Sequence, residues 1–228
     1  MKNLIIILSL LFSSVAVAQK HNIVNASIAL RNAQKAKGEE IGSLLKEAKE
    51  YIDEAYNNES TSNEAKMWNY RAPIYLEIAL KKPELDEDAI IKATDAHLKC
   101  LQKGKKDRII VRKWTSKEDI LAGLIQCGYK LFNLGIDTYN EGDYRKSLTY
   151  YEKIFAIVPF DEEDQLKRGN ITKETILYNS YFSSNKLKDD SKSKELLQKL
   201  IDINFNEPAI YIHMSDIFKR EDNIEKTI

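Results

Sequence analysis

The sequence predicts an all-α protein built from antiparallel helix pairs that repeat along the chain. Three observations carry that expectation. Proline and glycine are scarce, 4 and 8 in 228 residues, while Lys, Glu, Leu, Ile and Ala abound, a composition of helix formers. No stretch alternates apolar and polar residues convincingly over a strand's length. Apolar and small residues instead recur at three- and four-residue steps, in segments that resemble one another.

The clearest segment runs from Leu131 to Pro159 and reads as two short amphipathic helices around the turn Glu141-Gly142-Asp143. Leu131, Leu134, Gly135 and Thr138 share one face of the first helix, and Ser147, Tyr151 and Ile154 share one face of the second. Gly135 and Ser147 are small where the two helices must approach closely, and Pro159 stops the second. These spacings follow W-x2-L-G-x2-Y, then A-x3-F, then P, a pattern of 34 residues. Leu131 stands in the Trp place, Thr138 in the Tyr place and Ser147 in the Ala place. The segment therefore resembles a tetratricopeptide (TPR) repeat.

The register extends outward. Leu177 to Tyr211, and Ser193 to Thr227, each span the 34-residue period. Tyr211, Met214, Ser215 and Phe218 repeat the first-helix spacing, Asp222-Asn223 supplies a turn, and Ser193, Leu197 and Leu200 mark a second helix. Tyr181 occupies a place where the pattern wants a small residue, which predicts either splayed helices or a register slipped by one or two positions. Upstream, Trp68, Arg71, Ala72 and Tyr75 match a first helix, opened by a capping box of Thr61 and Glu64. Ala89, Ala93 and Ala96 give its second helix, after an insertion around Pro83 to Asp86. Ala48, Ile52 and Ala55 mark the second helix of an opening unit whose first helix lies between Asn22 and Lys37. The resemblance implies a TPR-like α-solenoid over residues 19–228, with units near 22–60, 62–101, 118–160 and 172–207 and an incomplete one over 208–228. Such units bury their apolar faces only by stacking. Because the last stops before its second helix, the chain reads as part of a longer protein.

Residues 1–18 read as a secretory signal peptide: Lys2, an apolar run from Leu4 to Phe12, and Ala16-Val17-Ala18 as a cleavage site before Gln19. The expectation is an exported chain, periplasmic or secreted. Cleavage leaves 34 basic against 35 acidic residues, no global pull toward nucleic acid or membrane. Two insertions interrupt the repeats. Phe160 to Ile171 is acidic, whereas Gln102 to Ser116 is basic and ends near Trp114, read first as a solvated loop, with contact to an acidic protein or cell-envelope polyanion as the alternative and nucleic acid disfavoured by export. Thr115 and Glu118 form a second capping box, opening a helix to Asn140 that Gly123 and Gly128 could break. Cys100 and Cys127 allow either a disulfide or two buried thiols.

No catalytic signature is present: there is no H-E-x-x-H, G-x-S-x-G, phosphate-binding loop or C-x-x-C. His21 is placed in a mobile N-terminus. His97 and Cys100, three apart, could face one metal, but a site needs further ligands, so neither metal nor cofactor is expected. In TPR proteins the first helices line a concave groove. The resemblance places Tyr129, Phe132, Asn133, Ile136, Tyr139 and Asn140 on that face, beside Tyr178, Phe182 and Asn185, and on the other side Lys66, Asn69, Pro73 and Glu77. The carboxylate clamp of chaperone-tail-binding members finds a counterpart only in Asn133. The expected function is a non-catalytic exported scaffold holding a protein or peptide in an aromatic groove. The alternatives are the sensing region of a longer membrane-bound signalling protein, or an enzyme whose catalytic domain lies elsewhere. Partner and oligomeric state stay open.

Overall fold

The computed structural model describes residues 20–104 and 106–220. The proposed signal peptide, the turn Asp222-Asn223 and Thr227 lie outside them. The fold is all-α, and among the described residues the only β-pairing is one isolated antiparallel bridge, Lys103 with Ile109. The chain divides into two compact units, Met1–Cys127 and Gly128–Ile228, so the boundary falls inside one helix.

The first unit holds α1 (20–35), α2 (Glu40–Asn57), α3 (Ala65–Lys81), α4 (Ala89–Cys100) and the start of α5 (Lys117–Asn140). His21 lies in α1, not in an irregular tail. On α2, Leu45, Ala48, Ile52 and Ala55 form the expected stripe, all buried. α3 packs on both α2 and α4, and Ala72, Ala89, Ala93 and Ala96 are buried as the repeat register requires. Both capping boxes are corrected. The Thr61 hydroxyl turns back to donate to the Ala55 carbonyl at 2.6 Å, and α3 starts without a side-chain cap. At α5 the box sits one residue later: the Ser116 hydroxyl accepts from the Asp119 amide at 3.0 Å and donates to its carboxylate at 2.8 Å.

A charged cluster joins three helices of this unit. Asp53 Oδ1 accepts from Arg71 Nη1 and from the Tyr75 hydroxyl, both at 2.6 Å, while Lys49 reaches its other oxygen at 3.0 Å. Asp86 holds Lys92 at 2.7 Å and Lys49 at 3.5 Å. The Arg71 guanidinium lies 4.1 Å from the Tyr56 ring centre. Burial alone would raise the Asp53 carboxyl, but its bonds from Tyr75, Arg71 and Lys49 outweigh that and hold it below the usual range.

The second unit holds the rest of α5, then α6 (Tyr144–Phe155), the short α7 (Gln165–Arg168), α8 (Lys173–Lys186), α9 (Asp190–Asp202) and α10 (Ala209–Arg220). α5 is unbroken, and its glycines serve close approach: a Cβ on Gly128 would lie 2.8 Å from Leu166. At the α5–α6 turn Gly142 takes φ +87, the Asp143 amide donates to the Thr138 carbonyl at 2.9 Å, and the Asp143 carboxylate caps α6 through the Lys146 amide. α6 ends at Phe155, and Pro159 falls beyond it in a 3-10 turn, Val158–Phe160. The insertion folds back, with the Asp161 carboxylate capping α7 through the Gln165 and Leu166 amides.

The register neither slips nor loses its pairing at Tyr181. The shift that carries Ser147 onto Ser193 carries Gly142 onto Lys188, also at positive φ, and Asp143 onto Asp189, which caps α9 through Lys192. The volume is exchanged across the pair. Gly135 faces Tyr151, whereas in the next pair Tyr181 shares a buried cluster with the smaller Leu197. Ser184 and Ser193 hydrogen-bond at 2.9 Å, keeping α8 on α9. On α10, Ile210, Met214 and Ile217 pack inward, while Tyr211, expected in the core register, is 57% exposed.

A Cβ on Gly135 would come within 2.7 Å of the Tyr151 ring. Gly135→Ala gains about 1 kcal/mol of helix propensity but forces the ring aside, at about 1–3 kcal/mol. We therefore expect a net loss of stability in urea unfolding. A variant more stable than the parent would show that the helices do not need this contact.

Candidate functional site

One face of the second unit gathers four of the expected groove residues. Ile136, Tyr139 and Asn140 stand three and four apart on α5, so they share a face. Asn179 and Phe182 do the same on α8, and Tyr151 of α6 closes the base between them. Together these six line a cavity of about 420 Å3. Tyr151 is positioned from below by the space that Gly135 leaves. Burial pushes its phenol up to about 12, despite hydrogen bonds with Ser147 and Asn179 that pull the other way, so it stays neutral at physiological pH. No lining residue carries a charge. The site offers apolar and aromatic walls with two amides and the tyrosine hydroxyls.

Four expected residues, Ile136, Tyr139, Asn140 and Phe182, line this cavity. Phe132 sits beside it, edge-on to Tyr151 at 6.0 Å. Tyr178 joins an aromatic cluster, 4.6 Å from Phe182 and 5.6 Å from Phe205. Asn133 is exposed and does not line the cavity. Tyr129 is engaged elsewhere. Its hydroxyl donates to the Gln165 carbonyl at 2.5 Å and its ring lies over Gly169, pinning the α7 insertion to α5. Two lining residues, Tyr151 and Asn179, are not among those the sequence pattern places on the groove. Asn179 stands one turn before Phe182, so the helical period could have found it. Tyr151 has the spacing of a helix-pairing residue, and in the structure it both pairs α5 with α6 and floors the cavity.

The other candidate chemistry does not assemble. Cys100 and Cys127 are free and buried, and burial pushes both thiols up to about 12. Among the described residues no group of three or more His, Cys, Asp or Glu gathers as metal ligands. The basic insertion forms a small hairpin, with the Gly104 amide on the Arg108 carbonyl, Val111 buried beneath it and Lys103 paired with Asp107. No helix among the described residues is long and apolar enough to cross a membrane.

No protein-family model matches the chain, and no curated protein matches it.

His97 gives a direct test of the packing beside Cys100. Its Nδ1 donates to the Ala93 carbonyl at 2.9 Å, the residue is 5% exposed, and burial holds its pKa down to about 4. Below pH 6.5 the unfolded chain binds a proton that the folded chain refuses. Stability should thus fall as pH drops from 6.5 and level off near 4, by roughly 3 kcal/mol in all. Urea midpoints at pH 7 and pH 4.5 measure it. His97→Gln should remove most of that slope; an unchanged slope would place the titrating group elsewhere.

Proposed function

We propose that the chain is a non-catalytic, exported binding scaffold of the tetratricopeptide type, which holds an extended peptide or partner helix on the α5–α8 face. The observation that carries this reading is the uncharged aromatic cavity set between first helices of successive pairs, with Tyr139 and Phe182 as walls. An apolar anchor side chain entering it would shed its hydration, and the Asn140 and Asn179 amides can bond the main chain beside it. The repeated turn, from Gly142-Asp143 to Lys188-Asp189, supports the repeat assignment. The apolar run before Ala18 supports export.

Selection of peptides from a random display library on the purified chain, followed by calorimetry, tests the reading. Selected peptides should share a large apolar or aromatic side chain. Ile136→Asp, at a position 39% exposed and so tolerant of change, should weaken them at least tenfold, about 1.4 kcal/mol. Tyr211→Ala on α10 should leave them unchanged. Peptides without an apolar anchor, or equal binding to the Ile136→Asp chain, would sink the proposal.

A further inference from the structure

A second cavity of the second unit lies where α8 begins and α9 ends, beside the last residue of α6. Its volume is about 380 Å3, and Phe155, Leu177 and Ile203 line it together with Lys173, Lys199 and Asp202. That is the size of a small-molecule site. Leu177 belongs to the buried core of this unit, and Phe155 and Ile203 pack against that core, so its edge makes an apolar floor.

The charges in the lining are set against the helices that carry them. Lys173 is the first residue of α8, at the positive end of the helix dipole, and Asp202 is the last of α9, at the negative end. The helix ends do not call for either. The Thr172 hydroxyl caps α8 by accepting from the Thr175 amide at 3.2 Å, and α9 is closed by the Phe205 amide on the Leu200 carbonyl at 3.0 Å. The charges that suit these ends are present as well, Glu174 in the first turn of α8 and Lys199 in the last turn of α9. Residues that oppose a local preference without serving the fold point to function. Lys199 is ion-paired with Glu195, so its charge is already met. The Gln198 side-chain amide donates to Asp202 Oδ1 at 2.8 Å, which orients the carboxylate without neutralising it. The lining therefore offers one cation, Lys173, and one anion, Asp202, above an apolar floor.

A purely anionic ligand would be repelled by Asp202, and a purely cationic one by Lys173. A ligand with both charges and an apolar body is attracted by every part. We infer that this cavity binds a small apolar zwitterion, a free amino acid with an aliphatic or aromatic side chain. Its ammonium meets Asp202, its carboxylate meets Lys173, and its side chain lies on Phe155, Leu177 and Ile203. The site shares no lining residue with the α5–α8 cavity and does not rest on the peptide reading.

Calorimetric titration of the full chain with leucine and phenylalanine tests it. Isocaproate and isoamylamine, which keep the leucine side chain but lose one charge each, serve as comparisons. At least one of the two amino acids should saturate, and each single-charge analogue should bind about fivefold more weakly than leucine, the upper range for an exposed ion pair. Lys173→Gln and Asp202→Asn, both at exposed positions and checked for folding by circular dichroism, should each weaken the amino acid by about the same factor. Ile136→Asp, in the other cavity, should leave it intact. The inference is overturned if neither amino acid saturates, if either analogue binds as tightly as leucine, if a folded Lys173→Gln or Asp202→Asn chain binds unchanged, or if Ile136→Asp abolishes binding. Should one variant fail to fold, the other and the analogue comparison still decide.

Discussion

At the level of Gly135 and Ser147 the backbone of α5 meets α6 with almost nothing between them. The Ser147 hydroxyl donates to the Gly135 carbonyl at 2.7 Å and stands 3.0 Å from the Ser183 hydroxyl, so one small side chain touches both its own partner helix and the first helix of the next pair. Larger residues on both helices at this level would drive the pair apart and open its core, because interiors do not tolerate even small voids. Close approach at one point per pair is the constraint from which the rest follows. It fixes the rotation of α5, and that rotation turns Ile136, Tyr139 and Asn140 toward the cavity.

Each pair meets the constraint differently. α3 and α4 bury small residues, Ala72 and Ala93; α5 and α6 set glycine against tyrosine; α8 and α9 set tyrosine beside leucine, with serines at the neighbouring level. Volume is conserved across the contact rather than at a position. In the first unit packing is supplemented by charge. Asp53 and Asp86 between them hold Lys49, Arg71 and Lys92, which belong to α2, α3 and α4. The Asp53–Arg71 pair is largely shielded and supported by the Tyr75 hydroxyl, so breaking it would strand a desolvated charge.

Cavities of the two units differ in chemistry for a reason visible in what fills the space behind them. Behind the α5–α8 face lies Tyr151, a neutral phenol, and the walls are aromatic. Behind a cavity of the first unit, walled by α1, α3, α4 and the start of α5, lies His97, which enters only because Gly123 has no side chain, and the walls carry amides and a carboxylate. Related architecture thus yields one recess without a charge and one with a carboxylate among its walls.

The sequence by itself determined the helices and their pairing, and put shared faces on them, because these depend on periodicities that survive without coordinates: Leu45, Ala48, Ile52 and Ala55 on one stripe, or Ile136, Tyr139 and Asn140 on another. Only the tertiary structure decided matters of a single turn or a single partner. It moved the α5 cap from Thr115 to Ser116, sent Thr61 to the Ala55 carbonyl, and gave Tyr129 to the α7 insertion. It left both cysteines as free thiols and brought Tyr151 into the cavity from a helix whose pattern shows only its pairing face. The physical reason is common to all of these. A helical period tells which face a side chain occupies, but which atom it meets there depends on how closely a neighbour from elsewhere in the chain approaches.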